Sequence, residues 1–141
     1  MQRFNLKKLD YLILALIVAE IVIAGVIVYG EALNSTVCFF GEDQSGSIGC
    51  ANVQNSLYSE ILGIKVNLIG LVGSLVLFIS FILAHLKKIE YNYFLIIAGI
   101  GALFGIYFLS VQIFILKTIC SSCLTVDSLT IIIFLLALAR R

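Results

Sequence analysis

Four cysteines stand in two pairs, Cys38/Cys50 and Cys120/Cys123, in a chain that is otherwise almost wholly apolar. The second pair, Cys120-Ser121-Ser122-Cys123, is a CxxC at the start of a hydrophobic segment, the arrangement that dithiol redox chemistry uses. At i and i+3 the two thiols share a helix face. The first helical turn offers unpaired backbone N–H groups and a positive dipole end, and Lys117 adds a charge three residues earlier; both favour a Cys120 thiolate. Cys123, a turn deeper, faces the acyl region, where a lipid-soluble oxidant reaches it. A Cys₄ zinc site fits poorly, because eleven residues separate Cys38 from Cys50 instead of a second CxxC knuckle. His85 falls at the far end of its segment and cannot join.

The elements that must position these thiols follow from composition. Hydrophobic residues make up 62% of the 141 residues and charged ones 12%, with a mean hydropathy of +1.16, which excludes a soluble domain. A net charge of +1 gives no reason to expect nucleic acid or an acidic ligand. Apolar runs at about 11–29, 66–86, 93–116 and 119–139 are each long enough to cross a bilayer as helix. The expected fold is an all-α membrane protein: a single domain over 1–141 in which four transmembrane helices form a bundle. The first run is 19 residues, longer than the ~7–15 of a signal peptide, and reads as a retained anchor.

Charge orients the bundle. Arg3, Lys7, Lys8, Lys87, Lys88, Arg140 and Arg141, seven of the nine basic residues, fall at one end. Lys65 and Lys117 fall at the other with Glu31, Glu42, Asp43 and Glu60. The positive-inside rule then makes both termini cytoplasmic in a multi-pass cell-membrane protein. The outer loop 32–65 and all four cysteines lie on the extracytoplasmic side, where disulfides persist.

Within that loop the Gly/Ser-rich spacer between Cys38 and Cys50 is a flexible tract. By spacing alone this pair reads as an ordinary structural disulfide. Val53, Leu57, Ile61 and Leu62 recur on one helical face, which predicts a short amphipathic helix from Cys50 to Leu62, ended by Gly63. Such a helix would hold Cys50 near the membrane while Cys38 moves.

Two carboxylates fall inside predicted spans, where acids are costly and mark function. Asp127 is at i+4 from Cys123, placed to assist a reduced acceptor or to bond a neighbouring helix. Glu20, in Leu-Ile-Val-Ala-Glu-Ile, is similar to the mid-helix acid of small multidrug transporters, which makes proton-coupled export the alternative from another class. Asn67, near the level of the cysteines, suits a quinone carbonyl or an interhelical hydrogen bond. Gly101/Gly105 and Gly70/Ser74 are small-xxx-small pairs that let helices approach.

Two loop cysteines after the first helix, a short loop helix, then a CxxC opening the fourth resemble the vitamin K epoxide reductase family. The segment from Cys50 through Val53, Ser56, Tyr58, Gly63 and Ile64 to Gly70 is similar to the family's Cys…Val…Ser-x-Tyr/Phe…Gly-Ile-Pro…Gly stretch, with Lys65 in place of Pro. The likeness covers most of the chain, although Asp127 stands where vertebrate members carry Tyr. The DsbB oxidases do the same chemistry with the opposite cysteine order.

The resemblance implies a prokaryotic homologue with DsbB-like function. Cys38 exchanges with a thioredoxin-like (DsbA-like) partner acting in trans, Cys50 bridges transiently to Cys120, and Cys123 contacts a membrane quinone such as menaquinone or ubiquinone. Ser56 matches a family serine near the pocket, so that Ser56, Asn67 and Asp127 are the expected quinone-binding residues. Thiol oxidation is the expected activity. Reduction of vitamin K epoxide or quinone as the main task is the alternative within the family.

Overall fold

The computed structural model describes residues 2–33 and 56–141, with side chains from Lys7 onward. Four helices in this part are long and apolar enough to cross a membrane. They are α1 (Gln2–Ala32), α2 (Val66–His85), α3 (Tyr91–Ser110) and α4 (Ser121–Arg140). The helix α3 continues into a π-helical turn, Val111–Leu116, which ends at Lys117 in the left-handed region (φ 52°). Each helix leans on two others: α1 on α2 and α4, α3 on α2 and α4. With no hydrophobic drive between helices in lipid, association depends on close packing and on polar bonds between them.

Packing is tightest at one end of the bundle. Ile13 and Ile17 of α1, Leu77 and Phe81 of α2, Phe94 and Ala98 of α3 and Ile133 and Ala137 of α4 form the core. Phe81 meets Phe94 edge-on at 5.2 Å, a geometry the ring quadrupoles favour. Below this core Asp10 is buried against Arg140, whose Nη2 donates to Asp10 Oδ2 at 3.0 Å and whose guanidinium lies 4.4 Å over the Tyr91 ring. His85 Nδ1 stands 3.7 Å from the same carboxylate. One acid therefore joins the ends of α1, α2 and α4. The helix α2 stops here in a Schellman motif: Lys88 N–H donates to Leu83 O and Lys87 N–H to Ala84 O, with Lys87 at φ 57°.

The opposite end carries the CxxC. Glu31, at the end of α1, accepts from Asn67 Nδ2 at 2.8 Å and pairs with Lys65 at 4.0 Å. The described chain leaves at Leu33 and resumes at Ser56 on this same end. Cys38 and Cys50 lie outside the described residues, as does the 50–55 part of the expected loop helix.

The remainder of that expected helix is not an α-helix. Leu57–Ser59 is one 3₁₀ turn, and Glu60–Ile61 pairs antiparallel with Ile64–Lys65 as strands β1 and β2. Leu62 and Gly63 make the two-residue connection, at φ 54° and 81°. Both central residues at positive φ define the turn that matches strand twist, and glycine suits its second position. Gly63 thus turns a hairpin, where the sequence suggested a helix stop. β-branched Ile61 and Ile64 face each other across it, and Glu60 lies opposite Lys65. The supposed buried stripe is open, with Leu57 and Leu62 almost fully exposed.

Candidate active site

Cys120 is the N-cap of α4, one position before the first turn in which its spacing had placed it. Its backbone is extended and its Sγ accepts from the Cys123 N–H at 3.4 Å, serving one of the orphan donors of a helix start. Cys120 is fully buried and Cys123 is half-buried. Ser121 and Ser122 between them are buried, and Thr125 donates back to Ser121 O at 2.7 Å. The CxxC is therefore fixed by α4's own start.

Gln112, which sequence reasoning passed over, holds that start from α3. It is buried, its Oε1 accepts from the Cys120 N–H at 3.1 Å, and its Nε2 donates to Asp127 Oδ2 at 3.5 Å. It sits in the π-helical turn, a feature that inserts an extra residue per turn and often marks functional sites. A lone amide in the apolar run 93–116 was the available signal.

Asp127 is one turn below Cys123, and Gly105 of α3 allows the close approach there. A Cβ at Gly105 would come within 3.3 Å of Asp127 O, and one at Gly101 within 3.1 Å of Thr130 Cγ2. The Gly101/Gly105 pair packs as its spacing predicted. Gly70 does not: a Cβ there, or at Gly73, would meet no atom of the described residues within 4 Å. These α2 glycines front open space.

That space is a largely apolar cavity of about 370 Å³, lined by all four helices and by the 56–61 segment. Cys123, Asp127, Gln112, Asn67 and Ser56 are among its lining residues, and Cys120 is not. The expected quinone-contacting residues are thus brought to one chamber. Asn67 spends its amide on Glu31, while Ser56 accepts from Ser59 N–H at 3.0 Å and Ser59 Oγ at 2.6 Å. Glu20, the acid that invited comparison with transporters, also lines this chamber. Its Oε1 accepts from Ser74 Oγ at 3.0 Å and Thr130 Oγ1 at 2.8 Å. An apolar chamber with a few polar groups and a thiol in its wall fits a hydrophobic two-electron acceptor.

The family model of the vitamin K epoxide reductase family matches residues 11–138. The chain belongs to the vitamin K epoxide reductase family. No curated protein matches it. Membership over nearly the whole chain makes this a multi-pass membrane oxidoreductase, built as the helical bundle that the family shares. Family enzymes use quinones and generally work with a thioredoxin-like partner.

Proposed function

We propose that this chain is a membrane thiol oxidase, carrying electrons from an extracytoplasmic thioredoxin-like protein through Cys38/Cys50 to Cys120/Cys123 and then to a membrane quinone. The observation that carries the reading is the division of labour in the CxxC. Cys120 is buried at the helix cap, at the end where the loop leaves and returns, while Cys123 lines the apolar chamber. The charge asymmetry supports an outer position for that end.

The partner's thiolate attacks Cys38, releasing Cys50, and the partner's second thiol resolves the mixed disulfide, so the partner leaves oxidised. The Cys50 thiolate then attacks Cys120 and releases Cys123. Cys38 resolves the Cys50–Cys120 bridge, restoring its own disulfide and leaving Cys120 and Cys123 as a dithiol. A bound quinone supplies the sink for two electrons and two protons. Cys120 and Cys123 give these up and close their disulfide again, so one partner dithiol is exchanged for one quinol. Gln112 keeps the Cys120 backbone in place throughout, and Asp127 offers a carboxyl one turn below Cys123.

The test is adduct trapping. Cys50→Ser should accumulate a mixed disulfide between Cys38 and an oxidised thioredoxin-like partner, visible by mass spectrometry. A structural role for the loop pair instead gives lowered stability and no adduct, and that outcome rejects the relay.

A further inference from the structure

The cavity does not stop at Asp127. It continues along α4 to Thr130 and along α1 to Glu20, Ala24 and Ile27. Glu20 is 3% exposed, and its two carboxyl oxygens are treated unequally. Oε1 lies within hydrogen-bonding distance of the Ser74 and Thr130 hydroxyls. Oε2 is buried and has no hydrogen-bonding partner among the described residues. Each hydroxyl has one proton and also reaches its own helix carbonyl, Gly70 O at 2.8 Å and Val126 O at 3.0 Å. The triad can therefore hold the carboxyl in place, but it leaves half of that carboxyl unserved.

An unserved carboxyl oxygen inside a membrane bundle costs several kcal/mol on the order of a lost buried hydrogen bond or more. Native structures leave few such groups without a reason. Here the group lines a chamber whose walls at this level are apolar apart from Ser74 and Thr130, with Gly70 and Gly73 leaving room on the α2 side. Thr130 is three residues from Asp127, about 4.5 Å of helical rise.

We propose that Glu20 is a ligand-binding residue of this cavity, its Oε2 hydrogen-bonding a ring oxygen of the bound quinone. The proposal rests on the quinone reading above and adds to it a second polar level, deeper than Cys123 and Asp127. A carboxyl serves both redox forms of such a ring: protonated it donates to a carbonyl, and otherwise it accepts from a hydroxyl. Ser74 and Thr130 are positioning residues that aim it.

The experiment is a binding cycle on the oxidised protein in lipid nanodiscs, read by calorimetry. The probes are a dimethyl-substituted para-naphthoquinone and the matching monoketone that lacks one ring oxygen. The wild type should prefer the quinone by about three- to tenfold, the worth of one hydrogen bond. Glu20→Leu and Glu20→Met should bind the two probes equally. A merely structural Glu20 would weaken both together, and a preference retained in either variant overturns the proposal.

Infrared difference spectra of the wild type give a readout that needs no apolar variant to fold. Quinone binding should shift a carboxyl band that Glu20→Gln removes, and the absence of a shift also overturns the proposal. If the wild type binds neither probe, the quinone reading itself fails. If it binds the quinone without discrimination, only the role of Glu20 fails.

Discussion

Replacing Gln112 with Leu should destabilise the CxxC end of the bundle by about 2–3 kcal/mol. The side chain is 3% exposed and serves two groups. Its bond to the Cys120 N–H is well formed at 3.1 Å, and Cys120 is fully buried, so removing this acceptor approaches the ~1–3 kcal/mol cost of an unmet buried donor. Its contact with Asp127 is long at 3.5 Å and contributes no more than about 0.5 kcal/mol. Leu matches Gln closely in size, so cavity formation adds little. The assay is reversible unfolding in mixed micelles of wild type, Gln112→Leu, Asp127→Ala and the double variant. The coupling between the two sites should stay below about 1 kcal/mol, because most of Gln112's work is at Cys120. A Gln112→Leu protein within 0.5 kcal/mol of wild type (about the scatter of a neutral substitution) would refute the view that this amide holds the helix cap.

Gly73→Leu, whose Cβ would meet no described atom within 4 Å, should fill part of the chamber and raise the KM for a short-chain quinone more than about tenfold while the melting temperature holds; an unchanged KM would remove the chamber from the reaction. Asp10→Ala strips the partner from Arg140 at the other end. It should cost about 1–3 kcal/mol, less than a fully buried pair because Arg140 is partly open to solvent, as thermal unfolding would show. Lys87→Gly relieves a left-handed residue at the α2 stop and should stabilise the fold by about 0.5–1 kcal/mol in the same assay. Leu62→Asn, at the first position of the hairpin turn, should slow amide exchange at Glu60–Lys65; faster exchange would contradict the turn assignment.

The four spans were legible because length and apolarity alone decide them, and their ends shifted by only a few residues except at α1, which runs from Gln2. The hairpin was not. Val53, Leu57 and Ile61 mimic a helical stripe, yet Leu62-Gly63 between Ile61 and Ile64 is equally a turn between two short strands, and tertiary context chose the latter. Gly70 departs from its expected role for a related reason: a small residue on a helix face permits either close packing or an adjoining void, and only the fold distinguishes them, whereas Ser74 does meet α1 through Glu20. The CxxC was read from its spacing, but its support was hidden. Gln112 reaches Cys120 across a π-helical turn that no local pattern announces, and Glu20's meeting with Thr130 joins residues 110 positions apart.

The central claim is that Cys123 hands electrons to a quinone in the chamber it lines. Anaerobic mixing of the purified protein with a reduced thioredoxin-like substrate and a short-chain quinone measures this directly, by the absorbance of the quinone. The wild type should form one quinol for each pair of substrate thiols oxidised, and Cys123→Ser should form none while still folding. Quinone reduction that survives Cys123→Ser, or that never occurs in the wild type, would contradict the account.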